Sequence, residues 1–161
     1  MGTNFDIVLS RHVLPREATA ALAELLPGLR IDVANSFSEL PDEPGELWAT
    51  IEPTHDPDWP CSLNCVCRDE CGLGEYPDLR VADWLSRRLV VNCLCGVYPF
   101  AGDLDPQDPY WWLACVGGAW HLADADGTRL MGPYTDGSHT FPGDQPVRLV
   151  RPVSLPNGVR A

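Results

Sequence analysis

The sequence predicts a single α+β domain over residues 1–161, with two helices packed on one face of a mostly antiparallel sheet of about six strands. Helical periodicity appears only twice, near residues 16–26 and 79–89, while strand-like runs recur elsewhere along the chain. A Gly-Gly dipeptide between two apolar runs predicts a tight antiparallel hairpin. The chain is long enough to bury a core without a stabilising metal or disulfide.

The first part of the chain predicts a β-α-β opening. Residues 5–10 (FDIVLS) predict a strand, and Pro15 suits the first turn of the helix that follows. The helix is expected to end at Pro27-Gly28, and residues 29–37 then alternate as a strand does. The apolar side of the helix consists of Ala18, Ala21, Leu22, Leu25 and Leu26.

A further strand and a long loop follow this opening. Residues 47–53 place Trp48 and Thr50 on one face of a strand and three apolar residues on the other. Residues 54–77 hold four cysteines and are expected to form a long Cys-rich loop within the domain. Loops of this length are usually functional or mobile, so we expect the same here.

The second half of the chain predicts one helix and the remaining strands. Asp78 is expected to cap a helix over residues 79–89, whose buried stripe is Val81, Trp84 and Leu85. The remaining predicted strands are 90–98, 110–116, 119–126 and 146–156, with Gly117-Gly118 joining the second and third of them.

The charge of the chain restricts its partners. Eleven arginines face 23 acidic residues, there is no lysine, and the formal net charge is −12. Such a field repels phosphate backbones and anionic lipid, so neither nucleic acid nor a membrane is an expected partner, whereas a basic protein would be attracted. Simple solubility is the alternative explanation. Without an apolar run long enough to span a bilayer, and without a secretory signal pattern, the expected location is the cytoplasm.

Four closely spaced cysteines leave three interpretations open. Cys61, Cys65, Cys67 and Cys71 could bind zinc through their thiolates, although the tight C-x2-C spacing is missing, so zinc is an alternative and no cofactor is the primary expectation. Disulfides such as Cys61–Cys71 or Cys65–Cys67 are a second interpretation, which a reducing compartment disfavours. Burial as small apolar side chains is the third, and it is favoured for the strand cysteines Cys93, Cys95 and Cys115.

Catalytic motifs are absent from the sequence, which therefore does not predict an enzyme. It has no nucleophile elbow, zinc-protease helix, phosphate-binding loop or dinucleotide fingerprint. A Cys–His pair, formed by Cys93 or Cys115 with His121 across neighbouring strands, is kept as an enzymatic alternative. The strand histidine is more simply explained as a half-buried, hydrogen-bonded residue.

Aromatic and acidic residues in the second half predict a protein-binding surface. Trp111 and Trp112 are neighbours in a strand, so one should point inward and the other outward, where a loop could also cover it. The aspartates nearby lack the glycine and terminal glutamate of a calcium loop. Exposed aromatic rings beside carboxylates suit a protein interface. The candidate partner-binding residues are Asp103, Asp105, Asp108, Trp111 and Asp136.

The C-terminal third, DPYWWLACVGGAWHLADADGTRL followed by PVRLVRPV, resembles the small acidic immunity proteins of bacterial polymorphic toxin systems. The resemblance lies in an aromatic strand, a short turn, a strand ending in LADAD and a PVR-type closing strand. It implies a cytoplasmic inhibitor that blocks a toxin by direct contact, and the acidic charge suggests a basic toxin domain. It carries over no role for an individual residue.

Overall fold

The computed structural model describes residues 2–69, 71–102, 104, 110–131, 134–136, 139–141 and 145–160. Over these residues the chain has two α-helices and ten strands, with short 3₁₀ turns at Phe37–Glu39 and Pro99–Ala101. The helices are α1 (Pro15–Leu25) and α2 (Pro77–Arg88). The strands are β1 (Thr3–Leu9), β2 (Ile31–Ala34), β3 (Leu47–Pro53), β4 (Cys61–Cys67), β5 (Cys93–Cys95), β6 (Trp111–Val116), β7 (Ala119–Asp124), β8 (Tyr134–Asp136), β9 (His139–Phe141) and β10 (Arg148–Pro152).

Eight strands form one mixed sheet in the order β10-β7-β6-β5-β1-β4-β3-β2, and β8 pairs with β9 separately. The α+β class is therefore confirmed, but the sheet has eight strands instead of about six. It is also not purely antiparallel, because β2 pairs with β3 in parallel. Residues 35–46 connect these two strands, in keeping with the longer crossover that a parallel pair requires.

The expected long loop at 54–77 is wrong in its central part, where β4 runs through the cysteine-rich segment. This strand, CSLNCVC, is paired along its whole length with β1 on one side and β3 on the other. Its odd-numbered positions are buried and its even-numbered positions are partly exposed. Cysteine behaves here as a small apolar residue, so the segment has the strict alternation of a half-buried strand.

Both helices cover the same face of the sheet. Leu22 from α1 and Leu85 from α2 are fully buried against inward-facing strand residues such as Ile7, Leu63 and Leu113. Fully burying a leucine side chain contributes about 1.5–3 kcal/mol, so this layer is the main source of stability. The helices also contact each other, since the indole Nε1 of Trp84 donates to the carbonyl of Ala21 at 2.7 Å.

Helix α2 begins two residues earlier than the sequence suggests. Pro77 occupies its first turn, where a fixed φ and a missing N–H cost nothing. Asp78 is therefore not the cap but a buried first-turn residue, and its Oδ1 accepts a hydrogen bond from the Tyr98 hydroxyl at 2.5 Å. Burial and this neighbouring carboxylate raise the pKa of Tyr98.

The opposite face of the sheet is only half covered. Over β5, β6 and β7 a small apolar cluster includes Leu94, Ala114 and Ala123, and Trp59 packs onto it from the connection between β3 and β4. The hairpin between β6 and β7 turns at Gly117-Gly118, both with positive φ, as the sequence predicts. In the described part of the chain, no helix has the length and apolar character needed to cross a membrane.

Candidate functional site: an acidic sheet face beside an exposed aromatic pair

The part of this opposite face that β1, β3 and β4 form is the candidate functional site. In strand pairs, residues opposite each other share a face, so the even-numbered residues of β1, β3 and β4 point away from the helices. We call this surface the open face. It consists of Asn4, Asp6, Trp48, Thr50, Glu52, Ser62, Asn64 and Val66.

Two carboxylates flank the central strand of the open face. Asp6 on β1 lies opposite Asn64, and Glu52 on β3 lies opposite Ser62, so the carboxylates approach the same stretch of β4 from its two sides. Partial desolvation and the charge of Glu52 raise the pKa of Asp6. The two carboxylates therefore interact electrostatically across β4, and the local electrostatic potential is negative.

Neither of these carboxylates is in an ion pair with any residue that the structure describes. Elsewhere in the described chain, arginine pairs with Glu17, Asp32, Asp83, Glu24 and Asp124. With no lysine in the chain and only 11 arginines, cations are scarce. Within the described part of the chain, the open face thus keeps negative charge that no arginine compensates.

Polar side chains of β4 form the floor between the carboxylates. The Ser62 hydroxyl donates to the Asn64 side-chain oxygen at 3.2 Å. This bond uses the amide oxygen and leaves the amide N–H groups of Asn64 directed to solvent or to a partner. Thr50 on β3 lies directly opposite Asn64 but is buried, so the accessible polar row is that of β4. The floor therefore offers both donors and acceptors.

An aromatic pair borders the open face at the β3 end. The rings of Phe37 and Trp48 meet edge to face, with centroids 5.7 Å apart. Phe37 is 70% exposed although it is large and apolar. Such exposure beside a polar surface is typical of a contact residue. Burial of the ring against a partner removes apolar surface from water and so stabilises the complex.

Most of the residues predicted for partner binding lie where the structure does not describe their side chains. Asp103, Asp105 and Asp108 lie outside the described residues, and Asp136 is described only by its backbone, in β8 opposite His139. Trp111 lies on the helix side of β6, where it packs half-buried against the main core. Trp112 lies on the other side and packs against the cluster that contains Trp59, so the outer ring is covered in part.

The four cysteines proposed as a zinc site do not converge, which corrects that alternative. Cys67 and Cys71 form a disulfide, while Cys61 and Cys65 are free and buried. Six residues of extended strand separate Cys61 from Cys67, a distance of about 20 Å. In the part of the chain that the structure describes, no three potential ligands lie close enough to hold a metal ion.

The Cys–His alternative for catalysis is also corrected, because the cysteines and the histidine lie on opposite sides of the sheet. Cys93 and Cys115 lie opposite each other on the helix side, whereas His121 pairs with Ala114 and lies on the other side of the sheet. Burial raises the pKa of both thiols, so they stay protonated. The expectation that Cys93, Cys95 and Cys115 act as buried apolar residues is confirmed.

Comparison of the chain with protein-family models, with curated proteins and with solved structures finds no match in any of the three.

Sequence reasoning missed Asp6, Glu52, Ser62 and Asn64 as possible site residues. Their signal is the alternation within β1, β3 and β4, in which each of these polar residues follows a residue that faces the core. That alternation of polar and apolar residues could have identified one polar face on each strand. It could not have shown that β4 lies between β1 and β3, which brings the carboxylates together.

Proposed function

We propose that this protein is an immunity-type inhibitor, acting in the cytoplasm, which neutralises a basic toxin domain by direct contact through the open face. The observation that carries the proposal is the pair Asp6 and Glu52, which face outward without a cationic partner in the described structure of a chain with net charge −12. A positively charged protein surface would complement this potential and associate quickly.

The arrangement of the open face suits one arginine or lysine of the partner. A guanidinium placed over β4 would meet the carboxylates of Asp6 and Glu52 from both sides and the acceptor atoms of the floor beneath it. The same cation would compensate the repulsion that raises the pKa of Asp6. Phe37 and Trp48 would supply the apolar part of the contact, since aromatic residues dominate interface energetics.

The test uses the protein encoded by the open reading frame adjacent to this gene. We expect that protein to be toxic when expressed alone, to be neutralised by co-expression of this chain, and to bind it with an association rate that falls as salt rises. The double variant Asp6→Asn, Glu52→Gln should weaken binding by about tenfold or more, because two charge-assisted contacts are lost.

The matched control is the double variant Glu75→Gln, Asp126→Asn. It removes the same charge from two exposed residues, one in the loop before α2 and one beyond β7. Binding should then change by less than about threefold, because only the long-range field is altered. Equal losses in both double variants, or an association rate indifferent to salt, would contradict the assignment of the open face. A non-toxic neighbour that does not bind would contradict the function itself.

A further inference from the structure

One disulfide stands apart from the other cysteines of the chain. Cys67 ends β4, Cys71 follows in the loop to α2, and both residues line a cavity of about 670 Å³ that Thr3, Leu73 and Pro77 also border. The remaining five cysteines are free thiols buried in the sheet. We propose that the Cys67–Cys71 disulfide is a site of reversible thiol–disulfide exchange with low-molecular-weight thiols of the glutathione type, which enter through this cavity.

The cavity gives a thiol access to sulfur without unfolding of the chain. Cys71 is 8% exposed and Cys67 is 3% exposed, so Cys71 is the sulfur more open to attack. Exchange needs a nucleophile that reaches one sulfur while the other leaves, and access is one of the factors that set its rate. A disulfide sealed in the core would not satisfy this condition.

One element beside the cavity favours a leaving thiolate. Pro77, in the first turn of the 12-residue helix α2, borders the cavity together with Cys67 and Cys71, while the acidic residue Asp69 also borders it and acts in the opposite direction. The partial positive charge of a helix N-terminus stabilises a thiolate and lowers the pKa of a cysteine. The five free thiols are in the opposite situation, because burial raises the pKa of each of them.

The reduced form would find hydrogen-bond acceptors close to Cys71 once the two sulfurs have moved apart to van der Waals distance. The carbonyl oxygens of Glu46 and Arg68 lie 3.4 and 3.3 Å from Cys71 Sγ, so a Cys71 thiol would find acceptors in place. Arg80 donates to the carbonyl of Gly72 at 2.6 Å, and Leu73 is buried. These contacts hold the loop when the covalent link is absent, so reduction can be reversed.

The exchange proceeds in two balanced steps. The thiolate of the small thiol attacks Cys71 Sγ, a mixed disulfide forms there, the Cys67–Cys71 bond breaks, and Cys67 leaves as a thiolate that takes up a proton. A second small thiol then attacks the mixed disulfide and releases Cys71 as a thiol with an oxidised dimer of the small thiol. The protein gains two hydrogens, and two small thiols are oxidised.

The test is reduction of the native full-length chain by reduced glutathione, followed by rapid alkylation and peptide mapping. We expect Cys67 and Cys71 to be alkylated in folded protein while Cys61, Cys65, Cys93, Cys95 and Cys115 stay unlabelled. The proposal is overturned if the disulfide resists reduction until denaturant is added. It is equally overturned if all seven cysteines are labelled at one common rate, because exchange would then need global unfolding.

A pair of neighbouring substitutions tests the route of entry. Thr3→Trp places a bulky ring at the mouth of the cavity and should slow reduction by about tenfold or more, because access limits exchange. Asn4→Trp is the matched control, since the adjacent residue points to the open face, and it should leave the rate unchanged. Equal slowing in both variants would overturn entry through the cavity.

The order of attack is tested with glutathione disulfide and the single variants. Cys67→Ser leaves Cys71, the more accessible of the two buried cysteines, as the thiol, and should form a mixed disulfide faster than Cys71→Ser, which leaves Cys67. The reverse order would overturn the assignment of Cys71 as the attacked sulfur. No toxin partner enters these measurements, so their outcome is independent of the proposed inhibitor function.

Discussion

The two faces of β4 differ in both burial and polarity. On the helix side, Cys61, Leu63, Cys65 and Cys67 are almost fully buried. On the open side, Ser62, Asn64 and Val66 remain partly exposed between the two unpaired carboxylates. One strand therefore contributes both to the core and to the floor of the candidate binding surface. Odd-numbered residues of β4 face the core and even-numbered residues face the open side.

The difference between the two faces explains the role of the cysteines in the segment CSLNCVC. The segment holds three cysteines, Cys61, Cys65 and Cys67, and all three belong to the core beneath α1 and α2. Apart from the Cys67–Cys71 disulfide, the chemistry of the strand is on the other face, in ordinary hydroxyl and amide groups. The contrast between the two faces predicts that truncations at adjacent positions of β4 change the free energy of unfolding by very different amounts.

The largest expected effect comes from truncating the inner face. Leu63→Ala should lower the free energy of unfolding by about 2–5 kcal/mol, because a fully buried side chain is removed and a cavity remains. Asn64→Ala, one residue away on the open face, should change it by less than about 0.5 kcal/mol. Urea unfolding of both variants measures the difference. Comparable losses would show that the open face is sealed in solution.

Much of the fold could be predicted because its signals are local. The helices follow from 3.6-residue periodicity, and the hairpin at Gly117-Gly118 follows from turn chemistry and alternation. The β4 strand also has a local signal, but clustered cysteines resemble ligands or disulfides as readily as they resemble core residues. Counting cysteine as apolar would have identified the strand.

The candidate site could not be predicted, because it depends on long-range strand order. Asp6 and Glu52 are 46 positions apart in the sequence and approach only because β4 lies between β1 and β3. Local alternation shows which side of a strand is polar, but it does not show which strands are neighbours. The parallel pairing of β2 with β3 was missed for the same reason, since nothing in either strand encodes its direction relative to the other.

A smaller effect tests the chemical character of the inner face. Cys65→Ser should lower the free energy of unfolding by about 1–3 kcal/mol, because the hydroxyl replaces a weakly polar thiol in an apolar site. Ser62→Ala on the open face should cost less than about 0.5 kcal/mol, since that hydroxyl is partly exposed. Chemical denaturation with the disulfide intact measures both values. A neutral Cys65→Ser would indicate that water or a polar partner reaches the inner face.

The smallest expected effect comes from removing the charge of Asp6 on the open face. This change should stabilise the folded chain at neutral pH, whereas the substitutions above destabilise it. The pKa of Asp6 is raised in the folded chain by partial desolvation and by Glu52, so the ionised form is disfavoured on folding. Its contribution to stability is complete below the ordinary aspartate pKa of about 3.9 and is lost as pH rises through the raised value. Relative to the parent, Asp6→Asn should therefore gain about a few tenths of a kcal/mol between low and neutral pH, a size expected for an exposed charge.

An opposite control lies on the helix side. The pKa of Glu24 is lowered by its hydrogen bond with Arg88, so its contribution to stability is present above the ordinary glutamate pKa and is lost as pH falls. Glu24→Gln should therefore lose stability relative to the parent as pH rises, whereas Asp6→Asn gains it. Thermal unfolding of the three proteins from acid to neutral pH measures the two slopes. Slopes of the same sign would mean that Asp6 already has a cation near it, and the open face would then lack the uncompensated charge that a basic partner needs.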